Sequence, residues 1–309
     1  REQAQKDKRA FRYRDHRPEN PPVWDSTMPL RFRSTPKSYD YHDEVMGDIT
    51  TSPEVVDDLI LIKSDGYPTY NFAHIIDDAE MQITHVIRGQ EFISSMPNFL
   101  ALYEALEIER PIFAHLPHIM NERGNKKLGK RDGAKDTLDY LRDGYLPETL
   151  DSFIATMGWN DGTEQEVFTM DELIDKFSLG RVQRSGARFD EKRLLWMNGQ
   201  IIRTSNLDEL YDRVVDYWPD IALSHTEQYK KQVLELVQDR LKTLKDLPIL
   251  TSYFFEDPVQ NDSLITDNKQ LKKLTRDESR ELLQVARDSL AALEDWTAET
   301  IQLTLNDLL

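Results

Sequence analysis

Two short stretches hold residue types that could do chemistry on a phosphate. Lys127-Leu128-Gly129-Lys130-Arg131 packs three cations around one glycine. Gly124-Asn125 before it and Asp132-Gly133 after it are turn formers, so the segment reads as a flexible loop rather than a helix. Lys127 and Lys130 stand three apart, and in a tight loop both can reach one phosphate chain. Ammonium groups placed that way stabilise charge building on a departing phosphate. Upstream, Arg88-Gly89-Gln90-Glu91 follows an apolar run, Ile83–Ile87, that is expected to be a strand. Groups just past a strand's carboxyl end face the ligand crevice of an α/β sheet. There Arg88 could grip a carboxylate bidentately, and Glu91 could hold a ribose hydroxyl or an ammonium group. Tyr70, shortly after the turn at Asp65-Gly66, could add a phenolic hydrogen bond.

Each residue also has a plainer reading. The lysine loop could be solvated surface, and Tyr70 could keep its ring in the core with its hydroxyl in water. Arg88 could pair with Glu91 or Asp77, and Glu91 could complement a helix N-terminus. Taken together, a basic phosphate loop and a strand-end Arg/Glu pair point to an enzyme handling a nucleotide and a carboxylate substrate. His115 and His118 flank Pro117, but with no cysteine and no H-E-x-x-H or H-x-x-E-H arrangement a zinc site is not expected. The glycine-rich phosphate fingerprints G-x-G-x-x-G and G-x-x-x-x-G-K-[ST] are absent.

The elements that must position these groups are legible in the patterning. Leu59–Lys63 reads as a short buried strand, Tyr70–Asp78 as a helix, Ser94–Leu106 as an amphipathic helix and Phe113–Leu116 as another strand. That strand–helix–strand order suggests half of a parallel doubly wound sheet. Upstream, Arg1–Arg17 is a basic helical lead-in, Pro18–Pro22 a break, and residues 18–58 a small insertion or β-rich connector. From Thr137 onward the period is helical, with Pro147 opening one helix and a capping box at Thr169/Glu172 opening another. Leu207–Trp218, Tyr229–Leu247 and Asp277–Leu293 continue it. The fold class is therefore α/β followed by all-α, divided into residues 1–135, 136–204 and 205–309.

Of 309 residues, 39% are hydrophobic and 31% charged, which suits two or three ordinary globular domains. No apolar run is long enough to span a bilayer, and a cytoplasmic setting is expected. The net charge of −17 argues against a nonspecific nucleic-acid binder. The charge is uneven, however. Residues 181–203 hold six Lys/Arg against two acids, whereas 206–309 hold 12 against 21. A basic patch on an acidic body suits a polyanion bound in one register, although solvated helix faces would look the same. Both ends read as cut from something longer.

At these motifs a family becomes recognisable. Lys127–Arg131 resembles the class I synthetase loop KMSKR. Ser64-Asp65-Gly66-Tyr67-Pro68-Thr69-Tyr70-Asn71-Phe72-Ala73 is similar to the S-D-G-x-P-T-Y-x-x-A segment of bacterial-type glutamyl-tRNA synthetases. Ile75–Asp78, Thr84–Glu91, Gly144–Glu148 and Leu195–Arg203 continue in the family's order. The resemblance implies the second half of a Rossmann-like catalytic domain with a connective insertion, then stem-contact and helical anticodon-binding regions. It implies ATP-dependent formation of glutamyl-adenylate from L-glutamate and transfer to the 3′ end of tRNA(Glu), with tRNA(Gln) a further candidate. Tyr70 and Arg88 would contact glutamate. Glu91, Lys127, Leu128, Gly129, Lys130 and Arg131 would contact ATP with its Mg²⁺, and Lys127 and Lys130 would be the catalytic pair. Arg181, Arg184, Arg188, Lys192 and Arg203 are the candidates for the tRNA backbone, and a monomer is expected. The sequence departs from the family in two ways. It contains no H-x-G-H, and Gly129 stands where the loop has Ser, which removes a hydroxyl and should loosen the loop. The competing readings are a glutaminyl-tRNA synthetase, a paralogue that glutamylates a tRNA base, and a non-catalytic tRNA-binding derivative.

Overall fold

The structure, a computed structural model, describes residues 2–6, 8, 11–129, 135–257, 267–268 and 273–308. Lys130 and Arg131 of the lysine loop fall outside the described residues. The chain divides into two compact units, one of residues 1–218 with 226–249 and one of 219–225 with 250–309.

The first unit opens with a short helix, α1 (Glu2–Lys6), and a 3-10 turn at Tyr13–His16, so the helical lead-in is broken. Six strands follow among the described residues: β1 (Leu30–Arg31), β2 (Asp40–Asp43), β3 (Gly47–Thr50), β4 (Ile60–Ile62), β5 (His85–Gly89) and β6 (Ile112–Leu116). The main sheet has the order β3-β2-β6-β5. β5 and β6 run parallel, β6 and β2 run parallel, and β2–β3 is an antiparallel hairpin. The stretch expected to be a connector thus extends the sheet that carries β5. β1 and β4 form a separate antiparallel pair.

β5 lies two residues later than the apolar run suggested. Gln82 takes a φ of 56° and the Ile83 N–H bonds back to Asp78, so Ile83 still belongs to the turn that closes the preceding helix. The ladder begins at His85↔Ile112 and ends at Gly89↔Leu116, which puts Arg88 inside the strand, directly opposite His115. Neighbouring residues in register point to the same face of a sheet. The register therefore places the Arg88 and His115 side chains together.

Two helices, α2 (Tyr70–Glu80) and α3 (Met96–Ala105), pack with the strands. Ile75, Met96, Phe99, Leu100, Leu102 and Tyr103 are fully buried with Tyr41 and Phe113. This core fixes the carboxyl ends of β2, β5 and β6, and truncating one of its Leu residues to Ala would cost about 2–5 kcal/mol.

Beyond the lysine loop the first unit is helical: α4 (Thr137–Arg142), α5 (Pro147–Thr156), α6 (Met170–Lys176), α7 (Glu191–Thr204), α8 (Leu207–Arg213), α9 (Glu227–Val237). The capping box at Thr169/Glu172 starts α6 as its sequence required. Asn198 on α7 is fully buried and ties three segments. Its amide oxygen accepts from Leu146 N at 2.9 Å and Thr149 Oγ1 at 2.8 Å, and its amide nitrogen donates to Lys242 O at 2.6 Å. Helix α10 (Leu247–Thr251) spans the boundary at residues 249–250, and the second unit holds α11 (Arg276–Ala291) and α12 (Ala298–Asn306). Thr275 with Glu278 and Thr297 with Thr300 cap the last two helices. No helix among the described residues is long and apolar enough to cross a membrane.

Candidate active site

Arg88 is the centre of the site. Its guanidinium lies over the rings of Phe92 and Phe99, 4.8 and 4.9 Å from their centroids. Nε donates to His115 Nε2 at 3.2 Å, and Nη2 lies 2.9 Å from Met96 Sδ. Burial pulls the Arg88 pKa below its ordinary value, partly offset by the Tyr70 phenol. Arg88 forms no ion pair with a carboxylate among the described residues, so neither Glu91 nor Asp77 neutralises it. A guanidinium half-withdrawn from water without a counter-ion at contact favours an anionic ligand.

Behind Arg88 stands a polar pair that spacing alone does not reveal. His115 and Asp43 are both fully buried. His115 Nδ1 lies 2.5 Å from Asp43 Oδ2, and Asp43 Oδ1 accepts the backbone N–H groups of Val45, Met46 and His115. Burial pushes the Asp43 carboxyl up, but the hydrogen bonds from His115 and these N–H groups outweigh it and hold it below the usual range. Burial pushes His115 down further than Asp43 pulls it up, so the ring stays neutral. Nε2 accepts from Arg88, so the single ring proton sits on Nδ1 and points to Asp43. The sequence offered only a His in an apolar strand and an Asp 72 residues away.

Tyr70 opens α2 and joins this group. Its ring is 6.0 Å from Phe92 and stacks on His74 at 5.0 Å, and His74 Nδ1 bonds to Tyr70 O at 2.9 Å. His74 was not signalled by the sequence, although it stands one helical turn after Tyr70. Two buried phenols feel the charge of Arg88, Tyr41 and Tyr103, and burial pushes both up to about 12.

The lysine loop reaches the same sheet end. Glu91, just past β5, lies 3.3 Å from Lys127 Nζ and 3.6 Å from His118 Nδ1. Its own backbone N–H, then Lys127, hold the Glu91 carboxyl below its usual value. The pair is about half exposed and easily exchanged in water. Before Lys127 the loop is an ordered hairpin rather than a free segment. Asn121 N bonds to Lys126 O at 2.9 Å, Leu128 N to Ile119 O at 2.8 Å, and Gly124 turns the corner with a φ of 71°. Met120 then ladders onto Ala187 and Phe189. Leu128 and Gly129 continue the chain directly from Lys127.

The five basic residues chosen for a polyanion are all exposed. The Arg181 guanidinium bonds to Asp161 O, Arg184 lies against Gly47, and Arg188 lies against Gly124 of the lysine hairpin. Lys192 sits in the first turn of α7, and Arg203 near its end bonds to Gln200 at 3.0 Å. No group of three or more His, Cys, Asp or Glu side chains among the described residues could hold a metal.

The family "tRNA synthetases class I (E and Q), catalytic domain" matches residues 2–196, and "Anticodon binding domain" matches 209–309. The chain is 41% identical over 268 residues to a glutamate–tRNA ligase of Clostridium botulinum, covering 87% of this chain and 54% of that protein. It is 40% identical over 271 residues to one from Clostridium novyi, with the same coverage. The chain thus spans about half the length of the curated relatives it matches. Among solved structures, a glutamate tRNA ligase from Elizabethkingia meningosepticum in complex with its amino acid superposes with a TM-score of 0.74 at 29% identity. That match covers 91% of this chain and 58% of the other. With a class I catalytic-domain match over residues 2–196 and relatives at 41% identity, this chain belongs to the class I tRNA synthetases of the glutamate and glutamine type.

Proposed function

We propose that this chain is the part of a glutamate–tRNA ligase that holds the amino acid, the triphosphate and the tRNA stem. One observation carries the reading: Lys127 reaches Glu91 at the end of β5, three residues from an arginine with no carboxylate at contact among the described residues. In the reaction, a carboxylate oxygen of L-glutamate attacks the α-phosphorus of ATP, and pyrophosphate leaves with the electron pair. The 3′-terminal hydroxyl of tRNA(Glu) then attacks the acyl carbon and AMP leaves. Mg²⁺ enters with ATP and neutralises part of its phosphate charge. Arg88 and Tyr70 hold glutamate. Glu91 contacts ATP and, on binding, releases Lys127 to the phosphates. Lys127 and Lys130 neutralise the departing pyrophosphate, with Leu128, Gly129 and Arg131 completing the loop around it. Held donors of this kind are worth about 10²–10³ each in rate.

Residues 1–135 supply the catalytic part, 136–204 the stem contacts and 205–309 the anticodon-binding helices. Arg181, Arg184, Arg188, Lys192 and Arg203 contact the tRNA backbone. The setting is cytoplasmic and the working form monomeric. Since the 309 residues contain no H-x-G-H, the chain by itself is not expected to make glutamyl-adenylate at family rates.

The test is aminoacylation of separate tRNA(Glu) and tRNA(Gln) by the gene product that carries this chain. Charging of tRNA(Glu) with L-glutamate is expected, and charging only with glutamine would replace this reading by the glutaminyl one. Binding of tRNA with no charging by either amino acid would favour the non-catalytic derivative.

A further inference from the structure

We propose that Asp43 and His115 are positioning residues for amino-acid binding: through one fixed imidazole tautomer they hold the Arg88 guanidinium in its ligand-ready orientation. The inference rests on the reading that Arg88 binds the carboxylate substrate.

Three observations carry it. The parallel ladder sets Arg88 opposite His115, and β2 beside β6 brings Asp43 to the other edge of the ring. The hydrogen bonds are directional: His115 Nδ1 to Asp43 Oδ2 at 2.5 Å, and Arg88 Nε to His115 Nε2 at 3.2 Å. Both His115 and Asp43 have no exposure, so no solvent competes for the bond between them. Among the described residues Arg88 has no carboxylate at contact; Asp78 acts on it from a distance, and Asp43 faces it through the His115 ring. A carboxylate placed directly against Arg88 would quench the guanidinium. One placed behind an imidazole supports the cation, orients its Nε edge and leaves it able to bind an anion. The same logic makes a carboxylate behind a histidine fix the tautomer a site needs.

The variant D43N tests the direction of the relay. Its amide oxygen can still accept from Val45 N, Met46 N and His115 N, while its NH₂ faces Nδ1. The ring proton must then move to Nε2, where it opposes the Nε–H of Arg88. Nitrogen-15 NMR of this chain is expected to show the Nδ1–H tautomer of His115 in the wild type and the Nε2–H tautomer in D43N. In the gene product that carries this chain, D43N is expected to raise KM for L-glutamate roughly tenfold or more, with a smaller change in kcat and none in KM for ATP. His115→Gln, which can donate to Asp43 and accept from Arg88, is expected to lose less than His115→Leu. That pair decides the matter should D43N fail to fold. A switched tautomer with an unchanged glutamate KM, or equal losses in His115→Gln and His115→Leu, would overturn the proposal. Arg88→Ala separates the two claims. If it raises the glutamate KM while D43N does not, the relay fails alone. If it leaves that KM unchanged, the reading of Arg88 fails and the relay's purpose with it.

Discussion

Arg88 shows how far one residue can be read from its neighbours in sequence. Its type and its place near a strand end gave the chemistry, a cation for a carboxylate. What the sequence lacked was the support, because Asp43 and His115 meet through a strand register and not through spacing. Polar groups buried in a sheet are costly unless bonded, and this pair is bonded at every edge. A pH dependence follows. His74 and His115 both titrate below the ordinary 6.5 in the fold, each mainly through burial. The unfolded chain therefore takes up protons that the folded chain refuses. The stability held by the neutral rings is complete above about pH 6.5 and declines as the pH falls toward the lowered folded values. Exposed His42, raised by Asp48, works in the opposite sense but in water. Urea midpoints are expected to fall between about pH 7.5 and about pH 5.5, and His115→Gln should shrink that difference.

At the scale of elements, what was legible came from local rules and what was missed came from pairing. The helix after Tyr70 and the Thr169/Glu172 box appear where the pattern placed them, since caps and 3.6-residue periods act within one segment. The strand carrying Arg88 is displaced because its limits are set by β6 and by the turn at Gln82. The lysine loop is a hairpin on one side because Met120 finds Ala187 and Phe189, far along the chain. Gly144 is a further such case. It has a φ of 81°, and a Cβ there would stand 2.7 Å from the backbone nitrogens of Leu244 and Lys245. Gly144→Ala should therefore lower the unfolding free energy by about 2–3 kcal/mol, combining the strained φ with a backbone clash. A chemical denaturation midpoint reads this directly, and a loss within error would show that the 241–246 segment can move aside.

For the whole molecule the net charge of −17 and the exposed basic residues after the lysine hairpin pull in opposite directions. If Arg184 and Arg188 each meet a phosphate, replacing either by Gln should weaken tRNA binding and reduce the slope of log K against log salt by about 1. Unchanged slopes in filter binding would move the stem contact elsewhere. The family was legible because several motifs agree in order across the chain. The division into two units was not, because compactness is set by packing between helices distant in sequence.

The most direct measurement of the central claim is a crystal structure of the gene product that carries this chain with a non-hydrolysable glutamyl-adenylate analogue. The account predicts a ligand carboxylate within hydrogen-bond distance of the Arg88 guanidinium, about 2.7–2.9 Å, with Arg88 Nε still on His115 and the phosphate on the side of Lys127. A ligand bound away from Arg88, or a phosphate far from Lys127 with the Glu91 pair intact, would contradict it.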